Sequence, residues 1–279
     1  MAASNATQVA YWNGPIGKVW AKEQKKRDRD HRQITQSLLG LAAAKPGEHV
    51  LDIGCGSGTT TLMLAEQVGV KGSATGFDIS APMLEVARAR AREAGSHAIF
   101  VEGDAADFAF EPEGFDLLFS QFGIMFFADP VSAFANLRKA VKQGGRVAFA
   151  CWRHPFENPW ANVPESTAKP LLPPSAPVDL NAPGRYSFHN PDRTKSVLLQ
   201  AGFHAPKFQK LDARVFLGNT AEEAASSSID GGPLLRTLAD CDEPTRAKVG
   251  AAVTERLARE VGPDGVYLTA GVWLVRAQA

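Results

Sequence analysis

The residues best suited to chemistry stand in one short stretch, Asp52-Ile53-Gly54-Cys55-Gly56-Ser57-Gly58. An apolar run from His49 to Ile53 leads into three glycines at alternate positions, and Thr59-Thr60-Thr61-Leu62-Met63-Leu64-Ala65 follows. The pattern predicts a strand, a glycine loop and a helix. Glycine lets the backbone turn sharply and approach a ligand that a Cβ would exclude. The loop also opens a helix, whose first N–H groups point outward. The spacing is G-x-G-x-G, not the G-x-G-x-x-G of a dinucleotide pyrophosphate. Asp52, two residues before the first glycine, would repel a phosphate and suit a cationic ligand. A tight turn in another kind of α/β protein is the plain alternative.

A second acid, Asp78, ends the predicted strand Ser73-Ala74-Thr75-Gly76-Phe77-Asp78. An acid at that strand tip can accept hydrogen bonds from both hydroxyls of a ribose. Helix capping is its alternative role, but Ser80 is placed to cap the helix that Pro82 opens. A third acid, Asp104, follows Gly103 at the tip of a strand predicted over Ala98-Ile99-Phe100-Val101-Glu102. The fourth strand, Phe115 to Ser120, runs into Gln121-Phe122-Gly123-Ile124-Met125-Phe126-Phe127, an apolar stretch for a loop. Phe122 and Met125 could wall a greasy or aromatic ligand, whereas packing beneath the next helix suits Phe126 and Phe127 better.

Taken together, the glycine loop, Asp78, Asp104-Ala105 and the fourth-strand loop resemble the class I S-adenosylmethionine-dependent methyltransferases over about residues 45–152. The resemblance implies an α/β fold: a Rossmann-like, seven-stranded, mostly parallel sheet with helices on both faces, an antiparallel last strand and a substrate cap. It implies S-adenosylmethionine as cofactor, held by Asp52, Gly54, Cys55, Gly56, Gly58 and Thr59 at the loop, by Asp78, Ile79 and Met83 at the second strand, by Gly103, Asp104 and Ala105 at the third, and by Ser120, Gln121 and Phe122 at the fourth. In this family an Asp followed by a small residue, here Asp104-Ala105, meets the adenine. The layout is close to quinone C-methyltransferases, whose characteristic tail is missing here. Ser120-Gln121-Phe122-Gly123 stands where nucleic-acid amino-methylating enzymes carry an Asn-Pro-Pro-Tyr type tetrapeptide, which argues against DNA as a partner.

Other elements must position these residues. Residues 1–9 are small and polar and are expected to be loose. Tyr11, Trp12 and Trp20 are either a lid over cofactor and substrate or core anchors; as a lid they would bind substrate with Met125 and Trp160. Residues 22–32 mix charge signs, which predicts a solvated helix face, continued by Ile34, Leu38 and Leu39 to about Ala44. Domain organisation is therefore an N-terminal helical extension or lid, 1–44, and a methyltransferase domain, 45–279, with a proline-rich cap insertion at 153–191 and a helical insertion at 219–262. Asp129-Pro130 and Asp192 are expected to start helices. Alternation over 211–217 and an apolar run over 266–275 predict the sixth and seventh strands.

The chain has 279 residues, and 30 basic residues balance 30 acidic ones. Such a balance gives no sign of a dedicated nucleic-acid binder. Three widely spaced cysteines make neither a disulfide framework nor a metal motif, so no metal and a cytoplasmic setting are expected. No run of apolar residues is long enough for a membrane span. Catalysis, if a proton must leave the acceptor, would fall to His154 or His189, with His31 and Glu157 as further candidates. The expected activity is methyl transfer to O, N or C of a small apolar or aromatic acceptor. A protein or RNA acceptor, and a cofactor-binding protein without transfer, stay open, as does a homodimer.

Overall fold

The computed structural model describes residues 5–174 and 179–279. Five strands are joined by helices, except β3 to β4, in the way the apolar periodicity dictates: β1 (His49–Ile53), α5 (Thr59–Val68), β2 (Ser73–Asp78), α6 (Ala81–Glu93), β3 (Ile99–Glu102), β4 (Phe115–Gln121), α7 (Pro130–Ala140) and β5 (Val141–Trp152). Ahead of them stand four helices, α1 (Ala6–Asn13), α2 (Pro15–Lys22), α3 (Gln24–Asp30) and α4 (Arg32–Ala42). After them come α8 (Pro159–Ala168), α9 (Pro191–Gln200), β6 (His204–Gly218), α10 (Ala221–Asp230), α11 (Glu243–Leu257), β7 (Val261–Gly262) and β8 (Gly265–Gln278).

The sheet order is β3-β2-β1-β4-β5-β8-β6, with the two-residue β7 paired to β8. β1 to β5 pair in parallel, and β8 runs antiparallel between β5 and β6. This is the expected mostly parallel, Rossmann-like sheet with an antiparallel last strand. The strand order reverses between β1 and β4, so their carboxyl ends open a crevice there. Fully buried Leu51, Leu117 and Phe119 fill the sheet centre, and Phe134, Phe149, Phe188 and Phe203 pack beside it. Removing such side chains from water is the main force that holds the layers together.

Several local expectations need correction. Residues 6–9 are not loose but begin α1; residues 1–4 lie outside the described residues. The single helix expected through the charge run is three, broken at Glu23 and His31. Ser80 does not cap α6: its hydroxyl donates to the Trp12 carbonyl (2.7 Å), a partner 68 residues away. Asp192 does not cap α9 either, because Asn190 accepts from the N–H groups of Asp192 (2.9 Å) and Arg193 (3.2 Å) ahead of Pro191. Asp129 does cap α7, accepting from Ser132 N–H at 3.1 Å. The proline-rich stretch 153–191 includes α8, which Pro159 opens and which carries Pro164 inside; residues 175–178 within that stretch lie outside the described residues.

Candidate functional site

The glycine loop is shaped by backbone crowding. Gly54 has φ +67°, and a Cβ there would lie 2.4 Å from the Cα of Gly123, at the start of the turn that follows β4. Two chain crossings thus touch with no side chain between them, which only glycine permits. Asp78 organises the loop from the tip of β2. Its Oδ2 accepts from Gly56 N–H (2.7 Å) and its Oδ1 from Ser80 N–H (2.9 Å). The Ile79 N–H also acts on this carboxylate, whose two oxygens together have about four lone-pair directions. Burial raises the Asp78 carboxyl above its usual range, with the Gly56 and Ser80 N–H groups opposing.

Asp52 sits lower. It is fully buried, its Oδ2 accepts from the hydroxyls of Thr60 (2.6 Å) and Thr61 (2.7 Å), and its Oδ1 has no partner. Burial pushes its pKa up to about 7, against those two hydroxyls and with help from the charge of Asp78. The Asp52 carboxylate therefore braces the start of α5 from below the loop. The Cys55 thiol also points beneath the loop, toward the place that a Cβ on Gly76 would fill. Ser120 ties strands together, its hydroxyl donating to Ile53 carbonyl (2.7 Å) and accepting from Gly123 N–H (3.2 Å). Of the fourth-strand residues, Gln121 keeps a buried amide oxygen with no partner. Met83 lies against Gly56, and Gly103 leaves room for the Phe77 ring, which a Cβ would meet at 2.7 Å. Ala105 is buried beside them.

The N-terminal helices close over these tips. Asn13 donates to the Ile79 carbonyl (2.8 Å) and accepts from Ala81 N–H (3.0 Å). Asn5 donates to Asp104 Oδ1 (2.9 Å) and accepts from Ala128 N–H (3.0 Å), while Asp104 also receives Ala106 N–H (2.9 Å). From α3, Asp28 accepts from the Thr59 hydroxyl (2.5 Å) and from Arg90 (2.9 Å), whose other nitrogen holds the Ser57 carbonyl (2.7 Å). Thr59 is thus engaged by the N-terminal segment.

Beside the loop lies an aromatic cluster. Phe122, at φ +67°, stacks on Trp152 with ring centroids 4.1 Å apart and planes 6° apart. His31 meets both rings (5.6 and 6.0 Å), and Trp160 meets Trp152 (5.0 Å). Trp12 meets Tyr11 (5.1 Å), Trp20 (5.4 Å) and Phe126 (5.2 Å). Burial lowers the His31 pKa to about 3, assisted by the charges of Arg27 and Lys26, so the imidazole is neutral at physiological pH. The Tyr186 hydroxyl is buried and has no hydrogen-bond partner.

Two expected residues stand elsewhere. The His154 and His189 rings meet edge to face at 5.4 Å, and His154 lies against Phe156, which is 80% exposed. Among the described residues, neither ring meets Phe122, Trp152 or Trp160. Met125 is buried in the core with 2% exposure, and its carbonyl anchors Gly184 N–H (3.0 Å) and the Ser187 hydroxyl (2.6 Å). It supports the wall from behind. Sequence reasoning missed Arg27, which lies 3.5 Å from the Trp20 ring centroid, and the Arg185–Glu165 pair (2.9 Å) near Trp160. Mixed charge along a helix carried no sign that one guanidinium turns inward. Among the described residues, no group of three His, Cys, Asp or Glu is placed to hold a metal ion, and no helix is long and apolar enough to cross a membrane.

Comparison with known proteins bears directly on this geometry. Residues 50–145 match a family described as a methyltransferase domain. A 2-phytyl-1,4-naphtoquinone methyltransferase of Synechococcus elongatus is 36% identical over 128 residues, 45% of this chain and 55% of that protein. The aklanonic acid methyltransferase DauC of a Streptomyces species is 38% identical over 113 residues, 40% of this chain and 51% of that protein. The chain thus spans about half the length of these relatives. Phosphoethanolamine N-methyltransferase 2 of Haemonchus contortus, solved with S-adenosylhomocysteine, shares the fold at TM-score 0.60 and 17% identity, over 99% of this chain and 60% of that one. Residues 50–145, which span β1 to the start of β5 and hold the glycine loop and the acids of the strand tips, are thus the part of the chain that resembles a methyltransferase domain.

Proposed function

We propose that this chain transfers a methyl group from S-adenosylmethionine to a small aromatic acceptor. The observation that carries the reading is the Phe122–Trp152 stack at the carboxyl ends of β4 and β5, beside the glycine loop, with Trp160 of α8 tilted against Trp152. The residues present suit the cofactor. Gly56 and its neighbours offer a loop without side chains, Asp78 retains acceptor capacity for a ribose diol, and Asp104 retains it for an exocyclic amine. When bound, the cofactor supplies a sulfonium methyl that is already activated for in-line displacement.

What remains for the chain is positioning, which can supply several kcal/mol of a two-reactant barrier, about 7–11 at best. Ring faces of the cluster would orient a flat acceptor, and they also favour a neighbouring cation. The N-terminal helices, held by Asn5, Asn13 and Asp28, would act as the lid that excludes water. His31 is the imidazole among these rings, but a group held near pKa 3 is a weak base. We therefore assign it a packing and orienting role, and we assign no proton transfer to His154 or His189. The charge run of α3 is engaged internally, through Lys26–Asp30 and Asp28–Arg90, which disfavours an RNA-binding patch. A cytoplasmic setting belongs to the same reading, and a homodimer stays open.

The test is to incubate the protein with methyl-labelled S-adenosylmethionine and an extract, then fractionate small molecules, lipids, protein and nucleic acid. Label in the small-molecule or lipid fraction is expected. Label confined to protein or RNA, or cofactor binding without transfer to any fraction, overturns the reading.

A further inference from the structure

Three guanidinium groups converge on the aromatic cluster. The Cζ of Arg236 lies 5.5 Å from the Tyr11 ring centroid, that of Arg185 lies 5.3 Å from Trp160 and 5.7 Å from Tyr186, and that of Arg27 lies over Trp20. All three act electrostatically on the Tyr11 hydroxyl, Arg236 most and Arg27 least. They come from segments far apart in the chain, so no single amphipathic face explains their meeting.

One carboxylate among the described residues pairs with this set: Glu165 accepts from Arg185 Nη1 at 2.9 Å. Arg27 donates to the Gly231 carbonyl (2.7 Å), and its Nε is buried without a partner. The acids nearest Arg27 are Glu23 and Asp30, and Asp30 is already bound by Lys26 and Arg29. Among the described residues, neither Arg27 nor Arg236 forms a salt bridge. Glu165 and Arg185 keep 35% and 29% of their side-chain surface accessible, yet burial is the leading influence on both. Flat rings set beside three guanidiniums, with one carboxylate among them, are complementary to a flat anion.

We propose that the acceptor is an aromatic carboxylate, with Arg236 and Arg185 binding the carboxylate and Tyr11 and Trp160 flanking the ring. The inference rests on the methyltransferase reading above and names its substrate class. A guanidinium binds a carboxylate through two parallel N–H bonds, which fixes the plane of the attached ring. That plane is what an in-line transfer must control.

The experiment uses the full chain saturated with S-adenosylhomocysteine and follows tryptophan fluorescence, since Trp12, Trp20 and Trp160 lie at the site. The probes are benzoate and 2-naphthoate, each against its neutral amide. At least one acid is expected to bind ~10-fold or more tightly than its amide. Arg236→Gln, on an exposed side chain with little risk to folding, should remove most of that advantage and leave amide binding and S-adenosylhomocysteine affinity unchanged. Arg246→Gln, at a nearby pair with Asp230 outside the cluster, should change neither. Equal affinity for acid and amide, or no binding of either acid, overturns the inference. A loss of S-adenosylhomocysteine affinity in Arg236→Gln overturns it too, because the arginines then serve the cofactor's own carboxylate while the methyltransferase reading stands. Failure of the unaltered protein to bind S-adenosylhomocysteine overturns both.

Discussion

The two halves of the crevice are built in different ways. The glycine-loop half uses the tips of three adjacent strands, β1, β2 and β3, within residues 52–105. Its working parts are backbone N–H groups, glycines and short acids. The aromatic half draws on α1 to α3, the turn after β4, the end of β5, α8 and the segment around Arg236, and its working parts are rings and guanidiniums. A site made from backbone geometry tolerates almost no substitution at its crossing points. A site made from packed side chains can be changed piece by piece. The contrast predicts that damage in the first half is abrupt and damage in the second is graded.

Gly54→Ala is the sharpest way to break that contrast. Its φ of +67° and the 2.4 Å approach of a Cβ to Gly123 force the two crossings apart. Calorimetric titration should show S-adenosylhomocysteine binding weakened by at least ~100-fold, about 2.7 kcal/mol, with the far-ultraviolet spectrum retained. An affinity within threefold of the original would show that the crossing is not what shapes the loop.

Next in size is a pair of opposed pH effects, one from each half. His31 is held near pKa 3, below its unfolded value near 6.5. The unfolded chain therefore binds the extra proton between about pH 3 and 6.5, and stability falls as pH drops through that window. Asp52 is raised to about 7, above an unfolded value near 4. Here the folded chain holds the extra proton, so stability falls as pH rises from about 4 to 7. The two slopes oppose each other between about pH 4 and 6.5. His31→Phe should remove one of them. Relative to the parent, it should gain about 2 kcal/mol on going from pH 7 to pH 5 in denaturant titrations. Asp52→Asn should move the other way, losing relative stability over the same change. Parallel curves for parent and variants would refute both assignments.

Asp78→Ala is expected to weaken S-adenosylhomocysteine binding by at least ~10-fold, about 1.4 kcal/mol. Asp78 both fixes the loop through Gly56 N–H and offers its spare lone pairs to a ligand. Asp78→Asn separates the two contributions, since it keeps an acceptor oxygen but loses the charge. Unchanged affinity in the alanine variant would remove Asp78 from the cofactor site.

This contrast also explains what could be read in advance. Asp52 to Gly58, Asp78 and Asp104 were legible because each lies at a strand end, where the neighbouring residues fix its place. The role of Asp52 as a brace was not, since its threonine partners follow it in sequence with no mark of which face they take. The inward turn of Arg27 depends on Trp20 and on the Gly231 carbonyl, 204 residues away. Ser80 carried the local signature of a cap, yet a carbonyl from α1 took its hydroxyl. Long-range partners leave no periodic trace, so the aromatic half was visible as candidate residues, Tyr11, Trp12, Trp20, Phe122 and Trp160, without the contacts that join them.

The smallest expected effect concerns His154 and His189. Both stand in the segment after β5 that sequence assigns to the cap, and either could have served as a base. In the fold the two rings meet each other and that of His154 also meets exposed Phe156, while Nδ1 of His189 is held by the Tyr186 carbonyl at 2.8 Å. A base must come within hydrogen-bond reach of the proton that it removes, and these rings do not border the Phe122–Trp152 stack. His154→Ala should leave methyl transfer within about twofold of the parent, with a stability loss of about 1 kcal/mol from the half-buried ring and its bond to Phe156 N–H. His189→Gln should behave alike in transfer. A drop of ~100-fold in kcat with unchanged cofactor affinity, and with the acid limb of the pH–rate profile lost, would return the proton to this pair. It would also mean that the cap swings inward when the acceptor binds, so that the aromatic half is built in part by its ligand.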